Sequence, residues 1–390
     1  MAEKPSRPLH PVVTQLEEHI KNTPGWTKAF DDAVKATHES GIIEMQKIKT
    51  TAQYLDKINE FLYWIPREGE EGRDVYNRIC LFYYVMNQPS VKQYQDPIKP
   101  DAINIKNSWL TEWLHTYADA LGTFHDDPES IKEIQTFKDS KPYNMQEALE
   151  PRGGWRDFND FFARSLKPGQ RPIAAISDPT VIVSPADSTY GGQWEVRSDT
   201  GVTIKGLHWQ IAELLKDCPF AHEFKGGLFI HSFLGPQDYH RQHCPVGGTV
   251  VWAKNIRGDV YLEVNAEPIP DTDGVKTLVP YRSMDGAAKQ FDAPDTPGYQ
   301  FAQNRGLFVL DTPIGLVAIL PMGMAQVSSV VLTAEEGVTL TKGEEISYFQ
   351  FGGSDIVLVF QRKSNVNITA QPGVHYKMGT VIGHAYPAGQ

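Results

Sequence analysis

Residues 342–360 read KGEEISYFQFGGSDIVLVF, and this stretch decides how the carboxyl-terminal part of the chain folds. Its last five residues, 356–360, form an apolar, β-prone run that predicts a strand. The glycine pair before Ser354 lets the backbone bend tightly, so we predict a turn followed by an anchored strand. Taken alone, Gly-Gly-Ser is more often a turn than a catalytic site. Ile356 also stands where the nucleophile-elbow motif G-x-S-x-G requires glycine.

Short β-prone runs of the same kind recur upstream, at residues 228–231, 249–253 and 306–310, with Gly and Pro turns between them. The distribution of glycine marks where this pattern of short β-prone runs and turns begins. Five of the 32 glycines lie in residues 1–150 and the other 27 lie in residues 151–390. The sequence therefore predicts a mostly-β domain over residues 151–390.

Residues 1–150 have a different pattern, in which apolar side chains recur at helical spacing. This pattern predicts an N-terminal helical domain, and the whole chain is assigned to the α+β class. The aromatic stripes on these helices suit core packing better than a ligand pocket, because every amphipathic helix needs an apolar face. The stripes comprise Tyr54, Leu55, Ile58, Phe61, Leu62 and Ile65, and Trp109, Leu110, Trp113, Leu114, Tyr117 and Leu121.

One turn pattern occurs twice near the carboxyl end of the chain. Residues 338–346 read VTLTKGEEI and residues 374–382 read VHYKMGTVI, with a glycine at a matching offset. Two copies are too few for a solenoid, so we predict a pair of related β-hairpins.

Charge and composition exclude several classes of protein. The net charge of −11 disfavours nonspecific attraction to nucleic acid or to an anionic bilayer, so no nucleic-acid partner is expected. The 390 residues contain no apolar run of 18 or more, and the first residues lack the features of a targeting signal. We therefore expect a cytoplasmic protein without stable membrane insertion.

The thiols and imidazoles of the chain do not form a metal-binding pattern. Cys80, Cys218 and Cys244 are odd in number and widely spaced, which predicts reduced thiols. His240 and His243 stand three residues apart beside Cys244, but no carboxylate or second thiol follows at ligand spacing. We expect no metal site, and either histidine alone would be structural.

A further polar side chain, Asp187, lies in the Pro/Gly turn VSPADSTYGG at residues 183–192, where by itself it would be a solvated turn aspartate. The interpretation of Asp187 changes when this turn is considered together with three other motifs. These are FNDFFARSLKPGQRPI at residues 158–173, DYHRQH at residues 238–243 and the Gly-Gly-Ser stretch. With these four motifs in this order, residues 155–390 resemble the phosphatidylserine decarboxylase family.

Details of the motifs separate branches of that family. Three features look closer to the soluble fungal branch that includes L-tryptophan decarboxylase than to the membrane-bound lipid enzymes. They are the Gly-Gly-Ser form, the Gln-Phe before it and the helical domain in front. One departure is Asp355, because a threonine usually follows the serine in the lipid enzymes. An acidic neighbour at this position can alter the kinetics of self-cleavage.

The resemblance implies a cofactor that the chain makes from itself. Decarboxylation of an amino acid needs a carbonyl group as an electron sink, and no ordinary side chain supplies one. In this family the serine hydroxyl attacks the preceding glycine carbonyl, and the chain is cut to leave a pyruvoyl group. This implies self-cleavage between Gly353 and Ser354, which gives a large chain of residues 1–353 and a small chain of residues 354–390.

The resemblance also implies a role for each polar residue. Ser354 is the nucleophile that becomes the pyruvoyl group, and His243 is the base that activates it. Asp187 orients this base, and His240 returns a proton during decarboxylation. The implied substrate is a small-molecule free amino acid, with L-tryptophan foremost, and a homodimer is expected by resemblance.

Three other functions stay open at this point. Phosphatidylserine decarboxylation would use the same cofactor but needs contact with a bilayer, for which a short amphipathic helix in residues 1–150 could serve. A pseudoenzyme would keep the fold without processing, although all the candidate processing residues are present. A Ser-His-Asp hydrolase is disfavoured because the nucleophile-elbow motif is missing.

Overall fold

Helices occupy the first part of the chain and strands the second, which confirms the α+β class. These elements come from a computed structural model. Among the helices it describes, none is long and apolar enough to span a bilayer. The described residues are 7–40, 42–70, 72–100, 107–199, 201–204, 207–262, 264–268, 276–280, 299–325 and 329–387.

The α-helices lie mostly before residue 150, as the helical spacing predicts. α1 to α7 precede this point, and the three later α-helices are one-turn segments within the β part. The helices α1 to α10 are, in order, Pro11–Asn22, Trp26–His38, Thr51–Phe61, Asp74–Met86, Pro89–Lys92, Trp109–His125, Ile134–Asp139, Phe158–Phe162, Ile211–Leu214 and Tyr299–Ala302.

Side-chain caps fix where two of the longer helices begin. The Thr50 hydroxyl accepts a hydrogen bond from the Gln53 N–H at the start of α3, and the Ser108 hydroxyl accepts one from the Thr111 N–H at the start of α6. The apolar stripes of both helices are largely buried in the core, as expected. Trp109 is the exception, because it is 39% exposed and stacks on His19.

The strands of the second part pair antiparallel in every named ladder. The strands β1 to β18 are, in order, Val181–Val183, Ser188–Glu195, Gly201–Ile204, Leu207–Gln210, Leu228–Phe233, Arg241–His243, Gly248–Ile256, Val264–Pro268, Lys276–Pro280, Arg305–Thr312, Gly315–Gly323, Val330–Leu332, Thr339–Leu340, Glu345–Phe349, Gly353–Phe360, Val366–Ile368, His375–Tyr376 and Val381–Ala385. Eight of them form the main sheet, in the order β13-β7-β10-β11-β15-β5-β2-β17. Two smaller sheets have the orders β1-β18-β16 and β12-β14-β6.

The main sheet separates two hydrophobic cores, because the side chains of its inner strands alternate between its faces. Phe308 and Leu358 pack in the core that is shared with the helical domain. Leu307 and Val359 pack in the second core, on the other face. Strand β15 runs between β11 and β5 and is buried from residue 355 to residue 360, so the strand expected at residues 356–360 is confirmed.

The repeated turn pattern forms two matched turns, but not the predicted hairpins. Gly343 and Gly379 both adopt a φ of +86°, a conformation that favours glycine. The strands on either side of each glycine pair with other strands: β13 pairs with β7, and β14 with β12 and β6. Likewise β17 pairs with β2, and β18 with β1 and β16. The hairpin prediction was wrong because each turn passes from the main sheet to a smaller one.

A second pair of matched segments meets these turns. The links β1–β2 and β6–β7 have the same length, and each carries a proline, Pro185 and Pro245. The two links bond to each other and to the two glycine turns in a near-symmetric way. The bonds run from His243 N to Pro185 O (2.8 Å), Val183 N to Pro245 O (3.2 Å), Ser184 N to Thr380 O (2.7 Å), Gly379 N to Ser184 O (2.9 Å), Cys244 N to Glu344 O (2.8 Å) and Gly343 N to Cys244 O (2.9 Å).

The helical and β parts share a core and are joined by buried hydrogen bonds. The Tyr83 hydroxyl donates to the Val260 carbonyl (2.7 Å), and Asn87 Nδ2 donates to the Leu262 carbonyl (2.6 Å). Tight packing of this kind couples the two parts, although the expected boundary near residue 150 stays a prediction. Cys80, Cys218 and Cys244 are buried free thiols, in agreement with the sequence analysis.

Ile173 lies between the two matched turns, which gives a test of their packing. A Cβ atom added at Gly343 would lie 2.5 Å from Ile173 Cδ1, in addition to the strain of its positive φ. We expect Gly343→Ala to lower the free energy of unfolding by about 2–4 kcal/mol, since backbone strain and overpacking add. The measurement is urea unfolding of the Ser354→Ala chain, which is expected to stay in one piece.

The matched control is Gly337→Ala. Gly337 has a similar φ of +87°, but nothing lies within 4 Å of the added Cβ. This control should cost only the backbone strain, about 1–2 kcal/mol. Equal losses in the two variants would contradict the packing of the Gly343 turn against Ile173.

Candidate active site

The predicted cleavage segment lies at an irregularity in the main sheet. In the pairing of β11 with β15, Met322 is opposite Asp355 and Gly323 is opposite Gly353, so Ser354 is an extra residue in the ladder. Such a β-bulge leaves one residue outside regular pairing and is common beside active sites. The backbone of Ser354 belongs to β15, whereas its side chain lies outside what the structure describes.

A cluster of polar side chains that the sequence analysis missed lies directly after the bulge. The Tyr299 hydroxyl donates to Asp355 Oδ2 over 2.5 Å, and His231 Nε2 lies 3.2 Å from the same oxygen. Asp355 is only 1% exposed, so its carboxylate depends on such partners. Asp355 stood out in the sequence as a departure from the family pattern, but His231 and Tyr299 lie in no recognisable motif.

His243 ends strand β6, and its ring has one hydrogen-bond partner on each nitrogen. Nδ1 lies 2.8 Å from the Gly343 carbonyl oxygen, which can only accept, so this nitrogen carries the proton. Nε2 therefore presents its lone pair and accepts from the Tyr239 hydroxyl at 3.0 Å. Burial lowers the pKa of His243, so the ring is neutral near pH 7 and can take up a proton.

Asp187 lies in the β1–β2 link, and its carboxylate is paired with Arg171. Arg171 Nε donates to both carboxylate oxygens (2.7 and 3.0 Å), and the Met378 N–H donates to Oδ1 (2.8 Å). Within the described residues, the groups that orient His243 are thus Gly343 and Tyr239, and not Asp187 as expected. The part of Asp187 in catalysis stays a prediction.

Asp187 still influences His243 indirectly. The Arg171 guanidinium that it holds lies 6.0 Å from the centre of the Tyr239 ring, whose hydroxyl bonds to the imidazole. The carboxylate charge also raises the pKa of His243 slightly, against the larger lowering by burial. Arg171 and Tyr239 thus lie between Asp187 and His243, and an effect of Asp187 on catalysis stays a prediction.

His240 is completely buried and stacks on the Phe162 ring, with the ring centroids 3.8 Å apart. Nε2 lies 3.0 Å from the Gly235 carbonyl oxygen, so this nitrogen is the donor. Nδ1 has no partner among the described residues. Burial holds the pKa of His240 well below its usual value, so the ring is neutral near pH 7. Its expected role as a proton donor stays a prediction and would require protonation from a neighbouring group.

Buried charges hold the loop before β6, which carries His240 and leads into the strand of His243. Arg164, from the FNDFFAR motif, donates to the carbonyls of Gln237 (2.9 Å) and Asp238 (3.0 Å). The Asp238 carboxylate in turn accepts from the Gly235 N–H (2.8 Å) and contacts His375 Nε2 (2.9 Å). Two of the motifs from the sequence analysis are thus brought together around the loop before β6. In the described part of the chain, no group of three or more His, Cys, Asp and Glu side chains could hold a metal ion.

Comparison of the sequence with known proteins identifies the family of this chain. A family model described as phosphatidylserine decarboxylase matches residues 158–384, more than half of the chain. Phosphatidylserine decarboxylase proenzyme 3 of Schizosaccharomyces pombe is 33% identical over 262 residues, which cover 66% of this chain and 24% of that protein. The chain thus spans about a quarter of that relative's length.

Two further relatives extend the comparison. The phosphatidylserine decarboxylase proenzyme of Fusobacterium nucleatum is 30% identical over 287 residues, which cover 72% of this chain and 84% of the relative. L-tryptophan decarboxylase of Psilocybe cyanescens is 30% identical over 247 residues, which cover 60% of this chain and 53% of the relative. All of these relatives are decarboxylases by name, and the chain belongs to the phosphatidylserine decarboxylase family of carboxy-lyases.

Proposed function

We propose that this chain is a pyruvoyl-dependent decarboxylase of a free amino acid, with the aromatic amino acid L-tryptophan as the foremost candidate. Proenzymes of the family use a pyruvoyl group that they generate from their own chain. The observation that carries the proposal is the bulge at Ser354, which follows a glycine pair at the start of a buried strand. We place the cleavage between Gly353 and Ser354.

The residues around the bulge fit a pyruvoyl group. When present, this group supplies the electron sink that decarboxylation requires. Residue 354 is outside the regular ladder, so its backbone can change without breaking the pairing of the strand that follows. The buried residues 355–360 hold that strand between its two neighbours, and the Asp355 carboxylate is fixed by Tyr299 and His231.

We assign the proton transfer of maturation to His243 and Tyr239. A serine hydroxyl is a weak nucleophile at neutral pH and needs a base. The lone pair of His243 Nε2 already accepts a hydrogen bond from Tyr239. The phenol can therefore pass its proton to the imidazole and take the serine proton in exchange.

Two observations support a free amino acid as the substrate. L-tryptophan decarboxylases of Psilocybe cyanescens and Psilocybe cubensis are 30% and 26% identical to this chain. The net charge of −11 opposes approach to an anionic bilayer. A cytoplasmic location and a small-molecule substrate form part of this proposal.

Phosphatidylserine is the second candidate substrate. It is motivated by the relatives at 33% and 30% identity that are named as phosphatidylserine decarboxylase proenzymes. The same site and the same cofactor would serve, so the two candidates differ in whether the substrate is free in solution or held in a membrane.

A direct assay separates these candidates. We expect purified, matured protein to release CO2 from free L-tryptophan, and Ser354→Ala protein to release none because it lacks the cofactor. Free serine, other aromatic amino acids and phosphatidylserine in liposomes are tested in parallel. Turnover of the liposomal lipid alone would establish the second candidate, and no turnover of any substrate by a processed chain would contradict both.

The lowered pKa of His243 predicts how self-cleavage depends on pH. A base must be neutral to act, and burial keeps His243 neutral to lower pH than an ordinary histidine. We expect the cleavage rate to stay constant from pH 8 down to about 6.5, the usual histidine pKa, and to fall only below it. Cleavage is followed by intact mass after synthesis at each pH.

His243→Ala is the companion variant, and it should stall cleavage at every pH. His384→Ala serves as a control, because His384 pairs with Val181 and Asn367 in the smaller sheet, away from strand β6 that carries His243. A rate that already falls between pH 8 and 7, or normal cleavage by His243→Ala, would show that another group is the base.

The Asp355 cluster predicts an effect on turnover. Asp355→Asn preserves the shape of the side chain but removes a carboxylate beside the residue that becomes the cofactor. We propose that this carboxylate takes part in proton transfer during turnover, so we expect the variant to mature and its kcat to fall by about 100-fold, the lower range for losing an acid–base group. Asp311→Asn removes the same charge from an exposed position on β10 and should leave kcat unchanged. Equal kcat values in the Asp355 variant and the parent would contradict a role for the cluster.

A further inference from the structure

We propose that Asn159 is a positioning residue for self-cleavage, which holds the chain on the amino-terminal side of the Gly353–Ser354 bond. The inference rests on the cleavage site proposed above. It assigns a task to the asparagine of the first family motif, FNDFFAR, whose Arg164 holds the loop before β6.

The chain on the carboxyl side of the bond is already fixed by the sheet. Asp355 pairs with Met322 of β11 and with Phe233 of β5, and the strand is buried from there onward. Ser354 lies in the bulge and has no partner in these ladders. The regular pairing is therefore interrupted at Ser354, and on the amino side of the scissile bond Gly353 is opposite Gly323 of β11.

The chain on the amino side is held further by contacts made by Phe351. The Phe351 N–H donates to Asn159 Oδ1 over 2.9 Å, and this bond is buried. The Phe351 ring packs between aromatic rings from the helical part and from α8. These rings belong to His125, Phe158 and Phe162, with centroid distances of 4.8, 5.1 and 5.3 Å.

Gly352 makes this anchor necessary. Its φ of +114° is accessible to glycine but strained for other residues, so the chain turns sharply between Phe351 and the scissile bond. Its carbonyl accepts a hydrogen bond from the Met324 N–H at 3.0 Å. A glycine has many accessible backbone conformations, so a fixed position for Gly353 needs support on both sides of the turn.

The Asn159 amide is itself oriented by the helical domain. Its Nδ2 donates to Asp126 Oδ1 over 2.8 Å, and Asp126 is the residue that caps the end of α6. Because a carboxylate can only accept, this bond directs the amide nitrogen toward Asp126 and leaves the amide oxygen for Phe351. The helical domain thus contributes to the placement of the cleavage segment.

The chemistry explains why this placement matters. The Ser354 hydroxyl oxygen forms a bond to the Gly353 carbonyl carbon, the peptide C–N bond breaks, and the serine proton ends on the freed amine. The resulting ester then loses its serine Cα proton to a base and breaks at the Cβ–O bond, so residue 353 leaves as a carboxylate. Water converts the remaining enamine to the ketone and releases ammonia. A displacement of about 1 Å at the first step costs up to 100-fold in rate.

The test follows precursor loss after a pulse of cell-free synthesis. The 43.7 kDa parent chain should be cut. The cleavage rate of Asn159→Ala should be at most about one tenth of the parent rate. Asp157→Ala is the matched control, because Asp157 caps the same helix α8 through the Asp160 N–H but makes no bond to Phe351. The thermal stability of all variants is compared in the uncut Ser354→Ala background.

Two readouts distinguish positioning from a general loss of structure. Asn159→Asp keeps an oxygen for the Phe351 N–H, but it places a second carboxylate against Asp126. Because the two carboxylates repel each other, this variant should also be cleaved slowly. Combining it with Asp126→Asn exchanges the two groups and should restore the rate. Hydroxylamine cleaves esters but not peptide bonds, so it should not cut the uncut Asn159→Ala chain if the first step is the one impaired.

The inference is overturned if Asn159→Ala is cut within twofold of the parent rate, or if Asp157→Ala is slowed as much. It is also overturned if the exchanged pair stays slow, or if the Asn159→Ala chain accumulates a hydroxylamine-sensitive ester. A parent chain that stays intact would instead overturn the proposed cleavage site, and with it this inference.

Discussion

The reciprocal hydrogen bonds between the β1–β2 and β6–β7 links are the constraint on which the site depends. His243 N donates to the Pro185 carbonyl, and Val183 N donates to the Pro245 carbonyl. These two bonds bring the link that carries Asp187 against the strand that carries His243. The glycine turns at Gly343 and Gly379 then bond to the same links, so the segments of Asp187 and His243 are held by backbone from distant parts of the sequence.

Burial sets the chemistry of the residues that this constraint gathers. His243 is kept neutral because the surroundings penalise its charged form, and the Gly343 carbonyl selects which nitrogen carries the proton. The Asp187 carboxylate is buried, and the Arg171 guanidinium donates hydrogen bonds to both of its oxygens. Arg171 also pairs with Glu147 at 2.8 Å, which ties the end of the helical part to the site.

The sequence predicts best those features that depend on local pattern. The buried strand at residues 356–360 and the apolar faces of α3 and α6 follow from periodicity alone, and the family motifs single out His243. The partner strands of the two glycine turns could not be predicted, because pairing is decided by long-range contacts. The contact of Tyr299 with Asp355 also joins residues that are far apart in the sequence, so it was missed. Neither the spacing nor the residue type of Tyr299 distinguishes it from the other tyrosines.

The position of β15 has a consequence for the fate of the two chains after maturation. The strand lies in the interior of the main sheet, with β11 on one side and β5 on the other, and is buried from residue 355 onward. A cut at residue 353 would fall just outside this buried stretch, so it would sever the polypeptide without removing a strand. The fragments would stay together as an obligate noncovalent pair, and their exchange between molecules would require β15 to lose its pairing with both β11 and β5.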